Sequence, residues 1–201
     1  MQIPKLGKFN VIIGENGVGK TIFVNSLNWR IYHPFNANSI IVNDFFDTVT
    51  DDYTIANMNE CLEILELEEF NVNEWFKLNT GHSCILFYLC LMMDKKSPSN
   101  FIIENVDYSI NPKLCWWLAK KFSDLTKSFN KQIVVTVSNP GFLNGIDLND
   151  DDNRLFVLDR SVDDETFMKR IHPMEPLDDD LPIPLAEAWL RGYIGGLPKT
   201  F

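Results

Sequence analysis

The hydrophobic residues of the chain form short continuous runs separated by longer stretches with helical periodicity. The apolar runs predict five buried strands, at residues 9–13, 39–42, 101–103, 133–137 and 154–158. Residues 166–171 predict a sixth strand that forms a hairpin with the fifth. Continuous apolar strands that alternate with helices are typical of an α/β fold with a mostly parallel central sheet flanked by helices. The hairpin is expected at the C-terminal side of this sheet.

Apolar spacing between these runs predicts the helices. They are expected at residues 22–31, 54–69, 83–93, 112–129 and 185–190. The first should end before Pro34, because the residue before a proline disfavours helical geometry. The third is apolar almost all round, which predicts a buried helix. Residues 44–52, 71–79 and 173–184 are expected to be connections, and 192–201 a tail. The pattern favours one domain over 1–201, with its core in 1–160 and the hairpin, short helix and tail in 161–201.

Composition and charge narrow the choice of function. The chain has 201 residues, 45% hydrophobic and 23% charged, which is ordinary for a globular domain. Its net charge of −10 argues against a broad basic face, so nucleic acid is expected to be contacted only indirectly, through a partner. No long apolar window predicts a membrane span, and no signal peptide pattern is present. The four cysteines lack C-x-x-C spacing, which favours buried free thiols in a cytoplasmic protein.

The most specific motif lies between the first predicted strand and the first predicted helix. It fits the phosphate-binding pattern G-x-x-x-x-G-K-[ST] with Gly14, Glu15, Asn16, Gly17, Val18, Gly19, Lys20 and Thr21. A strand that turns through glycines into a helix directs backbone N–H groups towards a phosphate. Lys20 is expected to reach the β- and γ-phosphates, and the Thr21 hydroxyl to hold Mg²⁺. The alternative is a chance glycine-rich turn, which rarely occurs between a strand and a helix.

Further polar clusters follow the phosphate loop in a fixed order. A phosphate loop needs an acidic group at the end of a neighbouring strand, and Glu104 directly follows the apolar run 101–103. An acid paired with a nearby cation is the alternative for Glu104. The other clusters are Asn79-Thr80-Gly81 before the buried helix, Asp107 and the following residues to Pro112, and Ser138-Asn139 after the next strand.

In this order the clusters resemble the motifs of ABC-type P-loop ATPases. Among these ATPases, the chain resembles the overcoming-lysogenization-defect proteins and the AAA-labelled ATPases of prokaryotic phage-defence systems. That family has, in order, a phosphate loop, a serine-glycine signature, an acidic strand end, a D-loop and a switch histidine. The resemblance covers about residues 9–160, and residues 185–198 also resemble the C-terminal end of such ATPases. It implies an ABC-type head that binds ATP and Mg²⁺.

The resemblance also implies a nucleotide-sandwich dimer. In the family the signature caps the γ-phosphate bound by the other subunit, and the D-loop runs along the partner's phosphate loop. Asn79, Thr80 and Gly81 stand at the signature here, and Asp107 begins the D-loop region. Thr80 keeps a hydroxyl for this role, although it is also a good helix N-cap.

The acidic strand end and the switch position depart from the family pattern in ways that weaken the case for fast hydrolysis. The acidic strand end is usually Asp-Glu but is Glu104-Asn105 here. Glu104 can keep the metal-side role, whereas the amide of Asn105 can only orient water. Ser138 replaces the switch histidine and carries no charge. His82 is the only histidine predicted beside a motif, and a structural role is favoured for it. The family usually has an extra strand, with residues near the adenine, before the phosphate-loop strand. Only eight residues precede the first strand here, so adenine recognition is expected to be weak or to come from elsewhere.

These observations predict an ATP-binding ABC-type ATPase subunit with slow hydrolysis. Because the chain shows no second catalytic set, the resemblance implies a separate effector, such as a toprim-type nuclease, in an antiviral defence complex. The alternative is a nucleotide-binding structural or regulatory subunit that does not hydrolyse ATP. A small-molecule kinase is disfavoured because the arginines occur singly and predict no arginine-rich lid.

Overall fold

The protein is described by a computed structural model that covers residues 3–34, 39–67, 69, 71–161, 165–174 and 183–197. Within these residues a single sheet contains six strands. The strands are β1 (Phe9–Ile13), β2 (Arg30–Tyr32), β3 (Asn100–Ile103), β4 (Gln132–Thr136), β5 (Asn153–Arg160) and β6 (Thr166–Ile171). The predicted connection at 173–184 and tail at 192–201 lie partly outside the described residues.

Helices connect most of these strands. They are α1 (Lys20–Ser26), α2 (Ser39–Thr48), α3 (Asp52–Ile64), α4 (Thr80–Met93), α5 (Pro112–Ser128), α6 (Pro140–Leu143) and α7 (Leu185–Leu190). A 3₁₀ helix over Val72–Lys77 occupies most of the connection predicted between α3 and α4. No helix in the described ranges has both the length and the hydrophobicity needed to span a bilayer.

The strands lie in the order β2-β3-β4-β1-β5-β6. All neighbouring pairs are parallel except β5 and β6, which are antiparallel. The predicted α/β class, mostly parallel sheet and C-terminal hairpin are therefore confirmed. Since the carboxyl ends of parallel strands share one edge, the loops that follow β1, β3 and β4 meet there.

Apolar side chains cover both faces of the sheet. Successive residues of a strand point to opposite faces, so Val11 joins a larger core and Ile12 a smaller one. The larger core contains α4, which is buried along most of its length as predicted, and α5. In this core the ring of Phe9 packs edge-on against Phe122, with ring centroids 6.1 Å apart. The smaller core is covered by Phe23 and Val24 of α1.

The region between β1 and α3 differs from the prediction. The helix expected over 22–31 ends at Ser26, Asn28 has a left-handed φ of 55°, and the chain then forms edge strand β2. The ring of Tyr32 packs edge-on against Phe101, with centroids 5.6 Å apart, which anchors β2 to β3. The predicted strand at 39–42 and connection at 44–52 are also wrong, because α2 spans Ser39–Thr48.

The four cysteines are buried and free, as their sequence context predicts. Burial raises the pKa of both Cys61 and Cys115 to about 12. At neutral pH these thiols are therefore protonated and unreactive as nucleophiles.

Candidate nucleotide-binding site

The loop between β1 and α1 has the backbone that its glycines predict. Gly14 and Gly19 have φ values of 154° and 110°, which side-chain-bearing residues rarely adopt. A Cβ added at Gly14 would also lie 2.6 Å from the carbonyl oxygen of Leu158 on β5. The close approach of β5 therefore requires glycine at the first position of the motif.

Lys20 folds back over this loop. Its Nζ donates hydrogen bonds to the carbonyl oxygens of Gly14, at 2.5 Å, and Glu15, at 3.0 Å. Burial lowers the pKa of Lys20, and the negative charges of Asp107, Glu104 and Glu15 partly oppose this shift. The ammonium group is thus held at the loop in surroundings where a bound phosphate would stabilise its charge.

Thr21 and Glu104 meet at the centre of the site although they are 83 positions apart in the chain. The Thr21 hydroxyl donates a hydrogen bond to Oε1 of Glu104. The backbone N–H of Glu104 donates to the carbonyl oxygen of Tyr32 at 2.9 Å, which fixes Glu104 at the end of β3. Glu104 is only 7% exposed. Glu104 was expected at the end of a strand next to β1. It instead follows β3, which is separated from β1 by β4.

His33 also lies at the site, although no sequence motif predicts it there. Its Nδ1 lies 3.5 Å from Oε2 of Glu104, and its side chain is 39% exposed. The expectation that His82 alone lies beside a motif is therefore wrong. His33 directly follows β2, and recognising that edge strand would have placed it at the same edge of the sheet as Glu104.

An open cleft of about 350 Å³ lies over the phosphate loop. It is lined by Asn16, Gly17, Gly19, Lys20, Thr21, Ile22, Glu104 and Asn105. Asn105 has a left-handed φ of 54°, which asparagine tolerates better than most residues. Its backbone N–H donates to Oγ1 of Thr136 at 2.8 Å, so β4 holds this backbone in place.

Hydrogen bonds connect the Asp107 carboxylate to the backbone of the loop that carries Ser138. Asp107 is 8% exposed, and its Oδ2 accepts hydrogen bonds from the backbone N–H groups of Ser138, at 2.7 Å, and Asn139. Asp107 therefore has an internal role, holding the loop after β4. Ser138 is exposed at the end of that strand.

The residues predicted to form the signature, Asn79, Thr80 and Gly81, lie at the start of α4. The N-cap of α4 is Asn79, whose Oδ1 accepts a hydrogen bond from the backbone N–H of His82 at 2.9 Å. The prediction that Thr80 is the N-cap is therefore wrong. Nδ1 of His82 lies 3.1 Å from Nδ2 of Asn79, which gives His82 a structural contact. A Cβ added at Gly81 would lie 2.5 Å from the carbonyl oxygen of Ser109, so the signature packs tightly against the loop after β3. Asn79 and Thr80 are exposed.

The residues at the cleft fit Mg²⁺. The Thr21 hydroxyl and the Glu104 carboxylate supply two adjacent oxygen atoms, the ligand type that Mg²⁺ prefers. No cluster of three His, Cys, Asp or Glu that could hold a metal ion occurs in the described part of the chain. Proteins commonly bind Mg²⁺ through one or two carboxylates together with the phosphates of a nucleotide.

Solved structures similar to this chain contain ABC ATPase domains. A metal-chelate type ABC transporter in an inward-facing conformation is 14% identical with a TM-score of 0.51, over 84% of this chain and 74% of that chain. The RNase-L Inhibitor is 15% identical with a TM-score of 0.55, over 85% of this chain and 35% of that one. A chain in ribosome-bound archaeal Pelota and ABCE1 is 12% identical with a TM-score of 0.51, over 95% of this chain and 38% of that one.

No protein-family model and no curated protein sequence matches the chain. The structural likeness, at these identities, concerns the fold. The chain has the fold of ABC-type P-loop ATPase domains, as the motif order predicts.

Proposed function

We propose that this chain is an ATP-binding ABC-type ATPase subunit that holds ATP and Mg²⁺ with the loop 14–21 and Glu104. The observation that carries the proposal is the hydrogen bond from the Thr21 hydroxyl to the Glu104 carboxylate, beside the ammonium group of Lys20. A chance glycine-rich turn would not bring a buried carboxylate from 83 positions away onto its own threonine.

The polar groups of the cleft have distinct parts in this proposal. The N–H groups of the loop and Lys20 would bind the phosphates, because backbone amides and an ammonium group complement their negative charge. Thr21 and Glu104 would hold Mg²⁺, which when bound neutralises charge on the β- and γ-phosphates. The ATP and Mg²⁺ assignments rest on this arrangement of donors.

Hydrolysis is proposed to be slow. Asn105 lines the cleft where a general base is needed, but an amide does not take up a proton from water at neutral pH. Ser138 stands at the position of the switch histidine and offers a hydroxyl without charge. These two residues also support the alternative, a regulatory subunit that binds ATP without turning it over.

The proposed active form is a dimer in which each signature faces the other subunit's nucleotide. Asn79 and Thr80 are exposed at the start of α4, and their own chain's cleft is lined by other residues. In the proposed dimer the signature therefore reaches a γ-phosphate across the interface between the subunits. Asp107 would contribute to this interface indirectly, by holding the loop that carries Ser138.

The proposed biological role is to gate a partner effector in a cytoplasmic antiviral defence complex of prokaryotes. The support is the resemblance in motif order and in residues 185–198 to defence ATPases. A toprim-type nuclease is the proposed class of effector. Purifying the chain with the products of neighbouring genes and assaying nuclease activity tests this role, and activity indifferent to Lys20→Ala would contradict it.

Calorimetric titration with Mg·ATP and a phosphate-release assay test the proposed function itself. Lys20→Ala should abolish binding and any turnover. Lys169→Ala is the matched control, because Lys169 is an exposed cation on β6. Binding with turnover supports the ATPase, and binding without turnover supports the regulatory alternative. Absence of ATP binding by the wild-type protein would overturn both.

A further inference from the structure

The hairpin of β5 and β6 holds two carbonyl groups of the phosphate loop. Nη2 of Arg160 donates to the carbonyl oxygen of Gly17 at 2.9 Å. Oγ1 of Thr166 donates to the carbonyl oxygen of Val18 at 3.0 Å. Arg160 is the last residue of β5 and Thr166 is the first of β6, and the two are paired in the antiparallel ladder. The pairing of β5 with β6 therefore places both donors against consecutive peptide groups of the phosphate loop.

These contacts fix the direction of two N–H groups in the loop, those of Val18 and Gly19. The C=O of one residue and the N–H of the next belong to one planar trans peptide, so they point in opposite directions. When the Val18 carbonyl faces Thr166, the N–H of Gly19 must face away from the hairpin, and Gly19 lines the cleft. The N–H of Val18 closes the turn onto the carbonyl of Glu15 at 3.4 Å.

The chain after α7 supports the same arrangement from behind. The backbone N–H of Gly196 donates to Oδ2 of Asp159, the neighbour of Arg160, at 3.3 Å. A Cβ added at Gly196 would lie 3.3 Å from Cα of Gly14 and 2.7 Å from Cγ1 of Val157. The hairpin and this segment thus enclose the start of the phosphate loop.

We propose that Arg160 and Thr166 are positioning residues for phosphate binding. They hold the carbonyls of Gly17 and Val18, so that the turn of the loop is closed and the N–H of Gly19 is directed towards the cleft before a nucleotide arrives. The expected effect of these residues on ATP binding rests on the proposed function. The ordering of the loop itself does not depend on ATP and is measured separately.

The hydrogen bonds set the size of the expected effects. Thr166→Val removes a neutral hydrogen bond and should weaken Mg·ATP binding about fivefold. Arg160→Met removes a charged donor while keeping much of the stem, and should weaken binding about tenfold. Thr166→Ser keeps the hydroxyl and should restore near-wild-type affinity. Lys169→Met is the matched control, because it removes a cation from an exposed position on the same hairpin.

Two readouts test the proposal. Amide hydrogen exchange of residues 14–20, measured without nucleotide, should speed up in Thr166→Val and Arg160→Met but not in Thr166→Ser or Lys169→Met. Calorimetric titration with Mg·ATP should show the losses of affinity above, while the melting temperature of the nucleotide-free protein changes by only a few degrees.

The outcomes separate the two proposals. If the wild-type protein binds no ATP, the proposed function fails, while faster exchange confined to the loop still supports the positioning role. Exchange and affinity indistinguishable from wild type in both Thr166→Val and Arg160→Met would overturn the positioning role. An equal loss of affinity in Lys169→Met would also overturn it, because general charge would then explain the effect.

Discussion

Replacing Asn105 by glutamate is expected to accelerate ATP hydrolysis. Asn105 lines the cleft with Lys20, Thr21 and Glu104, and in the proposed function it faces the attacking water. Its amide can orient that water but not take its proton. A carboxylate at the same position can act as a general base, which typically contributes about 10²- to 10⁴-fold to a rate.

The backbone at this position sets the cost of the substitution. Asn105 has a φ of 54°, and the left-handed region costs an ordinary L-residue about 1 kcal/mol more than asparagine. In a protein of this size, that penalty lowers the melting temperature by about 3 °C. The loss leaves the fold intact, because the N–H of residue 105 still donates to Oγ1 of Thr136.

Phosphate release measured over a series of protein concentrations is the assay, since the proposed active form is a dimer. Asn105→Gln is the matched control, because it carries the same backbone penalty and a similar length without a base. The glutamate variant should exceed both wild type and the glutamine variant by at least about tenfold. Equal rates in the glutamate and glutamine variants would refute the assignment of slow hydrolysis to residue 105.

Three further predictions concern the neighbouring residues. Gly81→Ala should lower the melting temperature by roughly 5 °C, because the new Cβ would lie 2.5 Å from the carbonyl oxygen of Ser109; an unchanged value in scanning fluorimetry would contradict this. Glu104→Gln should remove most of the difference in ATP affinity between Mg²⁺ and EDTA buffers, measured by calorimetry, and a wild-type difference would argue against Glu104 as a metal-side ligand. Burial lowers the pKa of Lys20 in the folded protein below 10.5, so the unfolded chain binds this proton more tightly than the folded one. The free energy of unfolding should therefore be highest, as far as this group is concerned, above pH 10.5 and should decrease as the pH falls through the lowered pKa. Denaturant unfolding at pH 8 and at pH 10.5 should therefore show wild type gaining stability relative to Lys20→Met at the higher pH, and a gap that stays constant would contradict the shift.

The sequence predicted the centre of the fold better than its edge. Strands β1, β3, β4 and β5 are almost fully buried, and a continuous apolar run is a direct consequence of burial on both faces. The edge strand β2 is short and begins with a polar residue, so its sequence does not distinguish it from the helix predicted before it. In α2 the β-branched run suggested a strand, but Val42 and Phe45 are buried at helical spacing in the larger core. Tertiary packing overrides local preference there.

The candidate site was predictable where its chemistry is encoded in a motif. The phosphate loop and Glu104 follow from residue type, order and position at strand ends. His33, Arg160 and Thr166 belong to no motif. Only the register of β2 with β3 brings His33 to Glu104, and only the register of β5 with β6 brings Arg160 and Thr166 to the phosphate loop. The sequence likewise does not predict that Asp107 binds the backbone of its own chain, because this contact depends on the path of the loop after β4.

A single-turnover experiment tests the central claim, that nucleotide binding is intact while hydrolysis is slow. Wild-type protein in excess is mixed with labelled ATP and Mg²⁺, and the bound nucleotide is separated and identified over time. The account predicts stable binding, lost in Lys20→Ala, with the label remaining predominantly as ATP long after binding is complete. Failure to bind ATP, or conversion to ADP as fast as binding occurs, would contradict it.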